Sequence, residues 1–127
     1  MILKLLIVGT GGFIGAIARY GLSGLVHRYF AGSFPYGTLF VNVIGCFVIG
    51  VLMSLVEDGQ LFRPEWRLFL MIGLLGSFTT FSTLGFETFE LLRDSEFRAA
   101  SLNLAANVIL GVGAVALGRI AVRFLTS

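Results

Sequence analysis

The stretch Gly73-Leu74-Leu75-Gly76-Ser77-Phe78-Thr79-Thr80-Phe81-Ser82-Thr83-Leu84-Gly85 holds the densest set of groups in this sequence that could do chemistry. Two glycines three positions apart are followed by five hydroxyl residues. Glycine costs a helix about 1 kcal/mol against alanine, and Ser and Thr side chains compete for backbone hydrogen bonds. A helix through these residues is therefore expected to break. If the break lies in hydrocarbon, the carbonyls it frees must be met by protein, water or an ion, because unpaired polar backbone is costly there. A monovalent cation is one candidate.

Other polar residues stand alone in apolar surroundings. Asn103 and Asn107 are one helical turn apart and share a face, making a polar stripe. Arg19 is an intramembrane charge unless its helix is broken or the side chain snorkels, and such charges are functional candidates by default. It could draw anions into a vestibule, or it could serve a carbonyl or Glu87 as a structural partner. Glu87 itself, within a turn or so of the hydroxyl stretch, is a candidate for a pore mouth. His27 falls near the end of an apolar segment, and nothing around it calls for a metal ligand. Cys46 has no second cysteine to pair with and reads as a small helix-packing residue. With one histidine, and no nucleophile accompanied by a base and an orienting group, an enzyme is not expected.

The elements that must hold these residues follow from composition. Of 127 residues, 57% are hydrophobic and 13% charged, against roughly 25% charged in soluble domains. Mean hydropathy is +0.96, and the polar residues are too few to cover a soluble surface. An all-α membrane protein is expected, with four transmembrane helices near 3–28, 36–56, 66–92 and 99–124 in a single domain, the third broken in mid-membrane. The first span is too long for a signal-peptide core. Tyr29, Tyr36 and Trp66 sit at span ends, where an aromatic belt belongs. Gly9, Gly12 and Gly15, then Gly37, Gly45 and Gly50, then Gly111 and Gly118 recur at helical spacings that let transmembrane backbones approach. The pI of about 9.1 does not point to nucleic acid, since the basic residues form no patch.

Val8-Gly9-Thr10-Gly11-Gly12-Phe13-Ile14-Gly15 has the look of a dinucleotide-binding turn, but that fold needs a preceding strand and an acidic residue about 20 positions on. The first acidic residue is Glu57.

Gly-x-x-Gly-x-Phe-Thr-Thr-Phe-Ser-Thr, from Gly73 to Thr83, resembles the signature of the Fluc (CrcB) fluoride channels. Gly11-Gly12-Phe13-Ile14-Gly15-Ala16-Ile17-Ala18-Arg19-Tyr20 is similar to the family's first-helix signature, and Gly37-Thr38-Leu39-Phe40-Val41-Asn42-Val43-Ile44-Gly45 to its second. The resemblance implies passive fluoride export across the bacterial cytoplasmic (inner) membrane by an antiparallel, dual-topology homodimer with two pores. It further implies a structural sodium ion at the dimer centre, held by backbone carbonyls of Gly73 and Gly76, with Phe78 and Phe81 as the paired pore phenylalanines. Asn42 would be the pore asparagine, with Thr38 one turn before it. Fluoride must exchange its water for donors, which Asn42, Thr79, Thr80, Ser82 and Thr83 supply, and ring edges carry the positive part of the aromatic quadrupole. Arg19, Asn103 and Asn107 complete the candidate anion-binding set, although Asn103 and Asn107 stand where the family carries tyrosine and Ser or Thr.

Two other classes compete. Small proton-coupled exporters are also four-helix, dual-topology dimers, but they depend on a carboxylate in the membrane core, which the first span lacks. A non-transporting subunit would need no polar stripe through the bilayer.

Four crossings place Lys4, Arg63, Arg67, Arg119 and Arg123 on one side, against Arg28, Arg93 and Arg98, with Arg19 joining the second set at most. Orientation follows the excess of Lys and Arg on cytoplasmic loops, so a near balance predicts insertion in both directions. C-terminal reporter fusions should give signal on both faces of the membrane; signal on one face only would exclude dual insertion.

Overall fold

The computed structural model describes residues 1–60 and 63–127. Leu61 and Phe62, inside the connector expected between the second and third spans, lie outside the described residues. Among the described residues, four helices are long and apolar enough to cross a membrane and there is no strand.

α1 runs over Ile2–Tyr29 and α2 over Tyr36–Glu57. The third crossing, Pro64–Arg93, is composite. It opens with α3, Pro64–Arg67, where proline occupies the first turn and so removes an N–H that had no helical partner. It widens into a π-helical stretch over Leu68–Leu75, resumes as α4 at Gly76–Phe78, and restarts as α5 over Phe81–Arg93. α6, Phe97–Thr126, is the last crossing. Each long helix is at least 22 residues, or about 33 Å at 1.5 Å per residue, enough for the hydrocarbon core.

The break expected near the glycine and hydroxyl stretch falls at its hydroxyl end. Thr79 (φ −86°, ψ 155°) and Thr80 (φ −147°, ψ 119°) are extended. Gly73 remains within the π-helical stretch and Gly76 begins α4. π-helical turns are rare and concentrate at functional sites.

α2 lies along α6 and α1 along the π-helical stretch. Ser33, just before α2, donates to Glu96, just before α6, at 2.9 Å. Arg119 of α6 pairs with Glu57 at the end of α2 at 2.7 Å. Ties at both ends make α2 and α6 parallel, as alternating crossings require. The apolar centre is Val41, Leu75 and Phe78, with Leu22, Val48, Ile49, Leu52 and Leu74 around it. Large apolar side chains, including Phe13, Ile17, Phe86, Phe89, Val108 and Ile109, are exposed on the outer faces, which suits hydrocarbon rather than water.

Two glycine seams set the distances between helices. A Cβ on Gly11 or Gly15 would strike the Phe69 and Leu74 carbonyls respectively, and one on Gly118 would strike the Phe47 carbonyl. Lipid provides no hydrophobic force between helices, so close backbone approach must supply the contact. Gly9, by contrast, has open space beside it and takes no part in a seam within the protomer.

Gly9→Ala and Gly118→Ala therefore make a matched pair. The first should be neutral or stabilising, since alanine favours helix by about 1 kcal/mol. The second should destabilise by about 1 to 3 kcal/mol through overpacking, seen as a lower thermal midpoint in detergent.

Candidate functional site

Breaking a helix at Thr79–Thr80 strands backbone donors and acceptors, and neighbouring side chains meet them. Asn42, less than two turns into α2, grips the Thr80 peptide from both sides. Its Oδ1 accepts from the Thr80 N–H at 2.8 Å, and its Nδ2 donates to the Thr80 carbonyl at 3.2 Å. Arg19 Nε reaches from α1 to the Ser77 carbonyl at 3.0 Å. The Thr80 hydroxyl caps α5 by accepting from the Thr83 N–H at 3.2 Å, while donating to the Thr83 hydroxyl at 3.0 Å. Each bond contributes about 1 kcal/mol net, but leaving a buried group unmet costs about 1 to 3 kcal/mol. The break is thus built from three helices at once.

Of the two readings open for Arg19, the partner found is a carbonyl, not Glu87. Asn103 and Asn107 do share a face of α6, and it points inward: they are 0% and 7% exposed. Asn42 Nδ2 donates to Asn107 Oδ1 at 2.9 Å. Thr38 donates to Glu87 Oε1 at 2.6 Å, whereas Glu87 Oε2 is buried without a hydrogen-bond partner among the described residues.

The two phenylalanines take opposite environments within one protomer. Phe78 is 7% exposed and packs in the centre, whereas Phe81, at the first position of α5, is 84% exposed. Phe81 borders an open groove of about 410 Å³ whose polar lining is Asn42, Thr79, Thr80 and Asn107 and whose apolar lining includes Ile49, Leu75, Leu84 and Val108. Ser82 is exposed beside Phe81, and Thr83 is half-buried behind it. Thr79 also bonds its own helix, donating to the Leu75 carbonyl at 3.0 Å. The N-terminus of α5 meets the groove here, and the dipole of a helix makes that end electropositive.

Gly76 borders the same groove and is exposed, with only the Met71 carbonyl, at 3.9 Å, near the position of an added Cβ. Gly73 is buried against Val8, Gly11 and Gly12 of α1. Its carbonyl accepts from the Gly76 N–H and lies 3.0 Å from the Ser77 hydroxyl.

The residues that reading the sequence did not single out are Ser77 and Thr88. Ser77 Oγ lies within 2.8 Å of the Gly12 carbonyl, 3.0 Å of the Gly73 carbonyl and 3.1 Å of the Leu74 carbonyl. Its place inside the glycine and hydroxyl stretch, four residues after Gly73, was the available signal. Thr88 accepts from Asn103 Nδ2 at 3.0 Å, a tertiary contact with no local mark in the sequence.

A profile for the family described as "CrcB-like protein, Camphor Resistance (CrcB)" matches residues 6–119. The chain is similar to "Fluoride-specific ion channel FluC 1" of Methanosarcina acetivorans, 48% identical over 116 residues, covering 91% of this chain and 88% of the relative. It is 50% identical over 106 residues to "Fluoride-specific ion channel FluC" of Geobacter sulfurreducens, covering 84% and 86%. To the protein of the same description from Maridesulfovibrio salexigens it is 42% identical over 123 residues, covering 94% and 98%.

Proposed function

The chain belongs to the CrcB family, and from that premise we propose the path by which fluoride crosses it. It is a multi-pass membrane protein and a fluoride-specific ion channel, not an enzyme. The anion passes along the groove beside the helix break, between the exposed Phe81 edge and a polar wall of Asn42, Thr79, Thr80, Ser82 and Thr83, in which the Asn42 amide and Thr79 hydroxyl protons are held by protein acceptors. Phe78 packs in the apolar centre behind the groove wall, and Asn103 and Asn107 form the polar layer behind Asn42. Thr38, one turn before Asn42, is bonded to Glu87, and Arg19, bonded to the Ser77 carbonyl from α1, adds positive charge behind the break without lining the groove.

The observation that carries this reading is the groove itself: amide and hydroxyl side chains lie beside an exposed ring at the electropositive start of α5. Ring edges and neutral donors stabilise a dehydrated anion without holding it fast, which conduction requires. One protomer supplies a half-channel, open along one side. A second copy closes it, and an antiparallel pair gives two equivalent passages and a two-fold axis in the membrane plane. Exposed Gly76 and Phe81 supply the contact surface, and the near balance of Lys and Arg allows both insertions. The passages are passive, so fluoride leaves the cell down its gradient.

A sodium ion at the dimer centre suits the residues present. A monovalent cation in hydrocarbon needs carbonyl oxygens, and the Gly76 backbone is uncovered. The Gly73 oxygen accepts from the Gly76 N–H, and the single Ser77 hydroxyl proton beside it is shared among three carbonyls, so the second lone pair of Gly73 is engaged only part of the time. Gly73 and Gly76 would hold the ion, which would supply positive charge next to the anion path.

Purified protein in liposomes should pass fluoride electrogenically and exclude chloride; uptake that ceases without a proton gradient would instead indicate a coupled carrier. Phe81→Ile should lower fluoride flux per dimer about tenfold, the factor for roughly 1.4 kcal/mol of lost ring–anion stabilisation, with dimer assembly intact by size exclusion. Phe78→Ile should lower it as well, with an added repacking cost of about 1 kcal/mol. Unchanged flux in both would remove the rings from the pathway.

A further inference from the structure

The hydrogen bonds behind Asn42 run in one direction. Asn42 Nδ2 donates to Asn107 Oδ1 at 2.9 Å, and Asn107 Nδ2 donates to the carbonyl and to Oδ1 of Asn103 at 2.8 and 3.1 Å. Asn103 Nδ2 donates to Thr88 Oγ1 at 3.0 Å, and Thr88 donates to the Leu84 carbonyl at 2.7 Å. The relay leaves the break at Thr80, crosses α2 and α6, and returns to α5 at Leu84, one turn beyond Thr80. Asn103, Asn107 and Thr88 are all buried, so each link is worth more than at a surface and each omission costs more.

Direction matters because an amide has distinct ends. Oδ1 of Asn42 is fixed by the Thr80 N–H, so Nδ2 must face Asn107, which must then present Oδ1 and turn its own Nδ2 toward Asn103. Reversing Asn107 would set donor against donor. Both Asn107 N–H groups are thereby consumed, and although Asn107 borders the groove it offers no free donor to an anion. The two N–H groups of Asn42 go to Thr80 and Asn107.

We infer that Asn107, Asn103 and Thr88 are positioning residues that orient the Asn42 amide, and through it the Thr80 peptide, in the groove wall. This rests on the reading of Asn42 as a wall of the fluoride path. Asn107 acts through Asn42 and not on the ion, so its substitution and that of Asn42 are coupled.

The test is a mutant cycle read as fluoride efflux per reconstituted dimer, together with hydrogen exchange at the Thr80 amide. Asn107→Leu is expected to lower efflux about tenfold, and the near-isosteric Thr88→Val about threefold, each by unseating one buried amide. In an Asn42→Ala background both should change efflux by less than about twofold, since groups that act through one partner are not additive. Multiplicative losses would mean that Asn107 meets the ion directly and would overturn the inference, as would parental efflux in both single variants. If Asn107→Leu fails to assemble, Thr88→Val, remote from the groove, completes the cycle alone. If Asn42→Ala abolishes efflux, exchange decides: faster Thr80 exchange in the two variants is expected, and unchanged exchange overturns the proposal. Parental efflux in Asn42→Ala would remove both this inference and the place of Asn42 in the path, leaving Phe81→Ile to judge the groove independently.

Discussion

A helix that stops inside hydrocarbon survives only if its loose ends are met, and here one side chain meets two of them. The Asn42 amide accepts the Thr80 N–H and donates to the Thr80 carbonyl, replacing the neighbours that a continuing helix would have provided. Around that grip the rest of the site is arranged. Thr80 caps α5, Arg19 takes the Ser77 carbonyl, and the start of α5 is turned toward the groove. The constraint is severe, because each unmet backbone group in lipid costs several kcal/mol. An amide suits the task because it pairs with a peptide as a peptide does, offering donor and acceptor side by side. Neither a hydroxyl nor a carboxylate presents that geometry.

Glycine supports this arrangement from the opposite side. Gly11 and Gly15 let α1 touch the backbone of the third crossing at Phe69 and Leu74, which brings Arg19 and the Gly12 carbonyl within reach of Ser77. The α2–α6 seam does the same for the amides: with Gly50 against Val115 and Gly118 against Phe47, Asn42 stands one hydrogen bond from Asn107. Polar chemistry in the site therefore depends on apolar packing that admits no side chain between helices. In lipid the two cannot be separated, since dispersion contact and interhelical hydrogen bonds carry the association.

Much of this was legible in the sequence. Four apolar runs separated by charged connectors led to four helices, and a glycine and hydroxyl run led to a broken third crossing. Family resemblance in three motifs led to the fluoride channel. What composition could not locate was the break itself, which lies at Thr79–Thr80, whereas Gly73 stays helical and packs against α1. Nor could spacing reveal what Asn103 and Asn107 would face. One turn apart, they had to share a face, but that they point to Asn42 and Thr88 depends on the parallel register of α2 and α6. Phe78 and Phe81 stand three apart, yet the extended pair between them turns one inward and one out, a separation no helical wheel would draw.

The π-helical stretch Leu68–Leu75 is long for its kind, and it gives the third crossing a reserve of length. Wider turns hold more residues per revolution than α-turns, so the segment stores extra chain upstream of the break. Tightening it to α-helical turns would take up the loss of a residue while leaving α3, with Trp66, and the break close to their present positions on the axis. The same deletion in the regular helix α5 would instead turn everything beyond it by about 100°, the angular step of one α-helical residue.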